Sequence, residues 1–241
     1  MEYLYITLLA IGASFIQRTT GFGFGIFIMT MLPFLMPSYG EATTLSGLLA
    51  LSSSLIVCLK MRGLINWKHL WPILTMFVIV SAASIFVLAR MQENSLRMIL
   101  GIALILTSLY FLFLGNKIFI RPTVPAQMIT GTLSGLMGGF FGMQGPPAVL
   151  YFVASEPDKD HYMAIASAYF CIGNAIMTLF RAGNGFLTPQ VGISFVFGLV
   201  GVAIGTFIGA RVFDRIPAKA FRYIVYSFIG VSGIVILATQ A

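Results

Sequence analysis

Long apolar segments, separated by short polar connectors, dominate the chain. A membrane-crossing helix needs about 20 apolar residues, and several of the segments approach that length. None of the connectors is long enough to fold as a domain. The pattern therefore predicts an all-α polytopic membrane protein with one transmembrane domain, residues 1–241. The apolar segments are Tyr3–Ile16, Phe22–Met36, Thr43–Leu59, Leu70–Ala89, Leu96–Leu114, Val124–Phe141, Pro146–Ala154, Tyr162–Phe180, Val191–Val212 and Phe221–Ala238.

Composition supports a chain whose surface faces lipid. Of its 241 residues, 59% are hydrophobic and 9% are charged, whereas soluble domains carry about 25% charged residues. The net charge is +7, but the basic residues lie between the apolar segments, which favours an orientation signal and not nucleic-acid binding. Cys58 and Cys171 both lie in apolar segments, so we expect no disulfide framework, metal site or cofactor. The expected partners are the lipid bilayer and a substrate; the oligomeric state is not predicted.

Two glycine-dense stretches interrupt the apolar pattern, one over Gln17–Gly25 and one over Gly138–Pro147. The second ends in a Pro-Pro pair, which suits the start of a helix and not its interior. Each stretch predicts the end of one helix, a bend and the start of another. The neighbouring segments Tyr3–Ile16 and Pro146–Ala154 are short, and we expect them to form helices of half the membrane depth.

The two breaks occupy equivalent positions of an internal repeat. A shift of 121 residues places Gly21 on Gly142 and Ser46 on Ser167, and it lays residues 84–93 on residues 205–214 with shared Phe, Ala-Arg and acidic positions. The predicted repeats are residues 1–120 and 121–241.

Lys and Arg residues distinguish two topologies. If each broken segment crosses the membrane, six basic residues lie on one side and seven on the other. If each enters and returns on the same side, the distribution becomes ten against three, which satisfies the cytoplasmic enrichment of basic residues. The predicted cytoplasmic residues are Lys60, Arg62, Lys68, Lys117, Arg121, Lys159, Arg211, Arg215, Lys219 and Arg222, and the predicted outer residues are Arg90, Arg97 and Arg181.

This re-entrant arrangement gives each repeat one hairpin and three crossings. Because three is odd, the repeats are inverted relative to each other, which is a transporter architecture, and both termini lie outside. The alternative is two full crossings at each break.

A helix start exposes free N–H groups and a partial positive charge, which suit anions. Two such starts, near Thr20–Gly25 and Gly145–Pro147, converge if the hairpin tips meet. The planar guanidinium of Arg18 matches a pair of oxyanion oxygens. We therefore expect a small anionic substrate. The candidate substrate-binding residues are Gln17, Arg18, Thr19, Thr20, Gly21, Gly23, Gly25, Ser53, Gly142, Gln144, Gly145, Pro146 and Asn174.

Structural roles compete with these assignments. Spacings of four between glycines, above all in Gly201, Gly205 and Gly209, are typical of close helix packing. Arg18 could instead reach toward the interface or bond a carbonyl, and serines in membrane helices usually bond their own backbone. Arg90 and Arg211, with Glu93 and Asp214 after them, read as structural pairs or interfacial anchors. No acidic residue lies well inside an apolar segment, and no catalytic motif is present, so an intramembrane enzyme is disfavoured and proton coupling has little support. Transporter and channel stay open.

At Thr20–Gly25 and Gly138–Pro147 the chain resembles the sulfite exporter TauE/SafE family. The resemblance covers essentially the whole length, since that family has two such repeats around glycine-rich motifs. It implies a multi-pass permease of the bacterial inner membrane that moves sulfite, sulfoacetate or another organosulfonate. Export is the expected direction. Uptake of an organic anion and an anion channel are the alternatives.

Overall fold

The computed structural model describes residues 1–113, 123–156, 158–212, 230–231 and 233–238, and within these ranges the ordered elements are all helical. This confirms the prediction of an all-α protein. The helices are α1 (Glu2–Thr20), α2 (Phe24–Ile28), α3 (Leu32–Leu35), α4 (Tyr39–Lys60), α5 (Trp67–Leu88), α6 (Glu93–Phe113), α7 (Val124–Phe141), α8 (Gly145–Ser155), α9 (Lys159–Gly183) and α10 (Pro189–Val212), with a 3-10 turn over Arg62–Leu64. Residues 230–231 and 233–238 are also helical.

The helices have the length and surface of membrane spans. In the described part of the chain, α4, α5, α9 and α10 are long and apolar enough to cross a bilayer. Their outward positions are apolar: Val196, Val200 and Phe207 of α10 are 61%, 54% and 56% exposed. Water would not favour such a surface, whereas lipid does.

Polar caps define where the two central helices begin. The Ser38 side chain accepts a hydrogen bond from the Glu41 N–H at the start of α4. Asp158 accepts bonds from the N–H groups of Asp160 and His161 at the start of α9. These side chains satisfy N–H groups that the first helical turn leaves free. Helices α4 and α9 then pack on each other along much of their length.

Helices α4 and α9 run antiparallel, because Arg181 near the end of α9 contacts Thr43 near the start of α4. We call the end of the bundle where α4 begins the Tyr39 face, and the end where α4 finishes the Lys60 face. Helix α10 runs parallel to α4, since Phe186 just before α10 lies against Gly40 and Gly198 lies against Leu49.

Helix α1 also runs from the Tyr39 face toward the Lys60 face. Its Thr7 hydroxyl bonds the carbonyl of Phe197, and its Arg18 packs on Gly209 further along α10. The two long helices α1 and α4 therefore run in the same direction. The intervening residues 21–38, which include α2 and α3, return to the Tyr39 face and complete a hairpin.

The chain also reverses between α7 and α9. Ile73 and Ser84 of α5 pack on Gly131 and Gly139 of α7, so α5 and α7 are parallel. His69 near the start of α5 lies 2.7 Å from Glu156, just before α9, and α9 is also parallel to them. Helix α8 therefore returns the chain between α7 and α9, forming a second hairpin that opens on the Lys60 face.

The breaks are shorter than the glycine-dense stretches suggest. The expectation that Tyr3–Ile16 forms a half-depth helix is wrong, because α1 continues through Gln17 to Thr20 and has 19 residues, about 28 Å at 1.5 Å per residue. Its last polar residues stay helical because the Thr19 and Thr20 hydroxyls donate to backbone carbonyls one turn earlier. Helix α7 likewise includes Gly138–Phe141.

The predicted packing role of the α10 glycines is confirmed. Gly201 lies on Ala10, Gly205 lies on the Ile11 carbonyl and Ser14, and Gly209 lies on Arg18. Side chains at these glycines would separate α10 from α1, so their absence brings the two helix backbones together.

The basic residues shared by the repeats lie on aromatic rings. The Arg90 guanidinium lies 4.2 Å from the ring centre of Phe86. The equivalent Arg211 lies 3.8 Å from the ring of Phe207. Pairing of Arg90 with Glu93 is not observed, since Glu93 bonds Arg97 instead. Several predictions lie outside the described residues, namely the repeat boundary at 120/121, Lys117, Arg121, Asp214, Arg215, Lys219 and Arg222.

Candidate functional site between the two helix breaks

The breaks after α1 and α7 have the same backbone form. Gly21 and Gly142 end these helices with φ values of 81° and 66°, in the left-handed region that only glycine adopts without strain. The N–H of Gly21 donates to the Gln17 carbonyl at 2.8 Å, and that of Gly142 donates to Gly138 at 3.0 Å. Each helix is thus closed by a glycine before the chain reverses.

The two breaks touch each other through backbone atoms. A Cβ placed on Gly25, at the start of α2, would overlap the carbonyl oxygen of Gly142. Gly21 lies against Tyr162 and Met163 near the start of α9, on the side of the Lys60 face. Gly142 lies near Ser46 of α4, on the side of the Tyr39 face. The two hairpin tips therefore pass each other in depth. The expectation that the hairpin tips meet agrees with this contact.

A small cavity of about 20 Å³ lies between the breaks. It lies near mid-depth, because Ala50 and Phe170 on its wall are near the middles of α4 and α9. We call it the central cavity. It is lined by Gln17, Phe22, Gly23, Phe24, Gly25, Ile26, Ala50, Gly142, Met143, Gln144, Gly145, Phe170 and Asn174.

The polar side chains of the central cavity retain unused hydrogen-bonding capacity. Gln144 is 3% exposed, and neither its Oε1 nor its Nε2 has a partner in the described part of the chain. Gln17 donates weakly to Ser54 Oγ at 3.4 Å, while its Oε1 is also unpaired among the described residues. Asn174 uses its Nδ2 for the Phe170 carbonyl. Buried amides without partners are costly, so these groups are suited to a polar ligand.

The lining of the central cavity carries no charged side chain among the described residues. Helix α8 begins beside it, with Gly145 as its first residue and Gln144 as its N-cap. Among the first three residues of α8 only Gly145 carries an N–H, because Pro146 and Pro147 have none. That N–H and the helix dipole give this end of the cavity a positive potential, which no acidic side chain among the described lining residues cancels.

Arg18 lies outside the central cavity, in a second cavity nearer the Lys60 face. This second cavity is also small, about 20 Å³, and shares Gln17 with the first. Arg18, Val57 and Met163 are half-buried there, so it extends toward the surface of the bundle. Its wall consists of Gln17, Arg18, Gly21, Ser53, Ser54, Val57, Met163 and Ser167.

The candidate residues thus fall into three groups. The central cavity brings together Gln17, Gly23, Gly25, Gly142, Gln144, Gly145 and Asn174, and the second cavity receives Arg18, Gly21 and Ser53. Thr19, Thr20 and Pro146 line neither cavity. Thr20 stabilises the break, since its hydroxyl contacts the carbonyls of Ile16 and Phe22 at 2.9 and 2.7 Å. Pro146 begins α8 and is buried.

The binding residues predicted from the sequence include none of the apolar side chains on the wall of the central cavity. Phe22, Phe24 and Phe170 close the central cavity, but nothing distinguishes them in a chain with 22 phenylalanines. Ser167 could have been found, because the repeat pairs it with Ser46. No group of three or more His, Cys, Asp or Glu side chains that could hold a metal occurs in the described ranges.

A bundle of long apolar helices, with two broken hairpins meeting at a polar cavity, has the architecture of a membrane permease. The sequence narrows this class to one family. It matches the sulfite exporter TauE/SafE family over residues 6–236, and the chain belongs to that family. It is similar to a Cupriavidus necator protein described as a probable sulfite/organosulfonate exporter TauE, with 23% identity over 209 residues that cover 82% of this chain and 79% of the relative. No solved structure matches the chain.

Proposed function

We propose that the protein transports a small sulfur-containing oxyanion, such as sulfite or an organosulfonate, and binds it in the central cavity. Family membership and the similarity to the C. necator probable sulfite/organosulfonate exporter support this substrate class. The observation that carries the proposal is Gln144, a buried residue of the cavity wall whose side-chain amide has no partner at either atom among the described residues. Its NH2 group can donate to an oxyanion, and Gln17, on the same wall, has one weak hydrogen bond from its Nε2 and a second N–H to offer.

The backbone of the second break adds one further donor. The N–H of Gly145, the first residue of α8, lies beside Gln144, whereas Pro146 and Pro147 have no N–H to donate; the positive end of the helix dipole also favours an oxyanion there. Gly25 and Gly142 have no side chains, which lets the two breaks come into backbone contact beside the cavity. A neutral site of this kind can release its ligand readily, which transport requires.

The two halves form an inverted repeat in this proposal, with residues 1–120 and 121–241 as its units. The shift of 121 residues makes α4 and α9 equivalent helices. They run antiparallel, as an inverted repeat requires. The helical residues 233–238 support it too. They run antiparallel to α6, because Leu237 packs on Gly101 and Gly233 packs on Ile105. If the two repeats exchange their conformations, the central cavity opens alternately to the Tyr39 face and to the Lys60 face.

The Lys60 face is cytoplasmic in this proposal, and the N-terminus lies outside. Lys60, Arg62 and Lys68 lie at or just beyond the end of α4 on that face, whereas Arg90 and Arg97 lie on the other. The membrane is the bacterial inner membrane. A cytoplasm at negative potential drives an anion outward by about 2.3 kcal/mol per charge per 100 mV, so we propose export without a resident cofactor.

Flux of radiolabelled sulfite in proteoliposomes tests this function. We expect saturable flux that unlabelled sulfite and sulfoacetate inhibit and that a carboxylate of similar size inhibits less. Liposomes without protein and liposomes with the Gln144→Met variant are the controls. Linear flux with measurable conductance would identify a channel, and absence of flux for every sulfur oxyanion would contradict the proposal.

A further inference from the structure

Arg181, in the last turn of α9, is a fully buried cation. Its side chain is 0% exposed, and among the described side chains no other Lys or Arg is classed as buried. Its position at the end of an apolar segment predicts a place in an outer connector. The structure instead turns the side chain inward, between α4, α7 and α9. A charge at this depth is costly and commonly has a functional role in a membrane protein.

The guanidinium is held by backbone carbonyls alone. Nη1 donates to Thr43 at 3.2 Å, and Nη2 donates to Gly138 at 2.8 Å and Gly139 at 3.2 Å. Nε has no partner in the described part of the chain, and no carboxylate there lies within 4 Å of the guanidinium. Carbonyl dipoles compensate a buried charge incompletely, so an anion would be a stronger partner than those it has.

Arg181 does not line the central cavity, but it lies near a residue of its wall. A Cβ placed on Gly47 of α4 would lie 3.4 Å from Arg181 Nη1, 3.5 Å from Thr178 Oγ1 and 3.7 Å from Asn174 Oδ1. Asn174 is part of the cavity wall. The guanidinium therefore fills the space between the central cavity and the Tyr39 face.

The equivalent space in the other half is open. The shift of 121 residues pairs Ser53 with Asn174 and Val57 with Thr178. Ser53 and Val57 line the second cavity, which extends toward the Lys60 face. Thr178 is 8% exposed and Gly138 is buried, and they enclose the Arg181 side chain. The bundle is thus closed by Arg181 toward the Tyr39 face and less closed toward the Lys60 face.

We propose that Arg181 is an anion-binding residue on the path between the central cavity and the Tyr39 face. In the conformation described, its guanidinium binds three carbonyls and blocks the path. A substrate oxyanion leaving the central cavity replaces those carbonyls as a charge-assisted partner, and the side chain moves with it. This inference rests on the proposed function and assigns the cation that the central cavity itself lacks.

Reactivity of two equivalent cysteines tests the blocking role. In a background with Cys58→Ser and Cys171→Ser, Val57→Cys and Thr178→Cys are compared by their rate of modification with 2-sulfonatoethyl methanethiosulfonate on purified protein. We expect Thr178→Cys to react at least about tenfold more slowly than Val57→Cys, since Arg181 occupies its surroundings. Adding Arg181→Gln should remove most of that difference, and Val57→Cys serves as the matched control that should not change.

A bound organosulfonate tests the anion-binding role without altering Arg181. Saturating sulfoacetate, which unlike sulfite does not react with the thiosulfonate reagent or cleave its product, should accelerate modification of Thr178→Cys severalfold and leave Val57→Cys unchanged, even if Arg181→Gln fails to fold. In flux assays, Arg181→Gln should raise the half-saturation concentration for sulfite about tenfold or more, as expected for loss of hydrogen bonds to a charged group, and Arg181→Lys should give an intermediate value.

The proposal is overturned if sulfoacetate, at concentrations that inhibit sulfite flux, leaves the reactivity of Thr178→Cys unchanged. It is also overturned if a folded Arg181→Gln variant keeps both the slow reaction at Thr178→Cys and the wild-type half-saturation. Those results would make Arg181 a structural clamp for α4, α7 and α9. Failure of the proposed function is separate, because it appears as wild-type protein that moves no sulfur oxyanion.

Discussion

The Cα of Gly25 lies against the carbonyl oxygen of Gly142, and this is where the two halves of the protein meet at the site. Gly25 lies in the first turn of α2, and Gly142 is the residue that ends α7. The contact between them involves backbone only. It fixes the distance between the two breaks and therefore the size of the central cavity.

Gly25→Ala should disrupt this contact. The added methyl group would overlap the Gly142 carbonyl, and overpacking of this kind costs about 1–3 kcal/mol, so we expect a lower unfolding temperature in detergent and loss of sulfite flux. Gly192→Ala is the matched control, because Gly192 lies in α10 with no atom within 4 Å of its added Cβ. Alanine there should be neutral or stabilise α10 by up to about 1 kcal/mol. Equal behaviour of the two variants would show that the Gly25 contact is not tight.

Gln144→Met should separate ligand binding from stability. The unpaired amide of Gln144 contributes no hydrogen bond to the described fold, so its removal should leave the unfolding temperature unchanged or raise it. Loss of a hydrogen bond to an anion costs about 1.5–3 kcal/mol, which predicts at least about tenfold weaker binding of sulfite.

Gln127→Met provides the opposite control for that experiment. Gln127 is also buried, but its Nε2 donates to the Tyr151 hydroxyl at 2.8 Å. Its replacement should lower the unfolding temperature and leave sulfite affinity unchanged. If Gln144→Met destabilises the protein as much as Gln127→Met and keeps full affinity, Gln144 is a structural residue.

Arg18→Ala should reduce sulfite flux mainly at low ionic strength. Arg18 lines the second cavity and not the central one, so we expect it to attract the anion and not to bind it in the transported position. The half-saturation concentration should rise severalfold at low salt, and the difference should shrink near 1 M salt, where the Debye length is about 3 Å. Arg18→Lys should behave like the wild type. A lysine variant as impaired as the alanine variant would instead support the bidentate contact expected from the sequence.

Single cysteines can test the directions of the helices. Gly63 follows α4 and Gly183 ends α9, and an added side chain at either position meets no atom within 4 Å. In a background without Cys58 and Cys171, an impermeant thiol reagent applied to intact cells should label Gly183→Cys and should label Gly63→Cys only after lysis. Labelling of both cysteines in intact cells would contradict the two hairpins and the antiparallel α4 and α9.

Sequence patterns located the two helix breaks because their signals are local. Glycine at a left-handed helix end and proline at a helix start are requirements of the backbone, and Gly21, Gly142 and Pro146 satisfy them. The lengths of the first hairpin helices were harder to predict. Gln17, Thr19 and Thr20 suggest a break by polarity, yet their polar groups are accommodated by Ser54 and by carbonyls of α1.

The positions of the cations depend on tertiary packing. Arg18 and Gln17 are neighbours in sequence, but α1 directs Gln17 into both cavities and Arg18 into the second alone. Arg181 follows an apolar segment, as a connector residue would, and only the packing of α4 and α7 around α9 reveals its burial. Helix orientation of this kind is set by contacts distant in sequence, which a pattern along one segment does not contain.

Selenite offers the most direct view of the anion, because it has the shape and charge of sulfite and selenium scatters X-rays anomalously. In crystals of protein that binds selenite competitively with sulfite, we predict an anomalous peak within hydrogen-bonding distance of Gln144, between the breaks at Gly25 and Gly142. The peak should disappear in Gln144→Met crystals grown at the same selenite concentration. A selenite peak elsewhere in the molecule, with the space between the two breaks empty, would contradict the assignment of the central cavity as the substrate site.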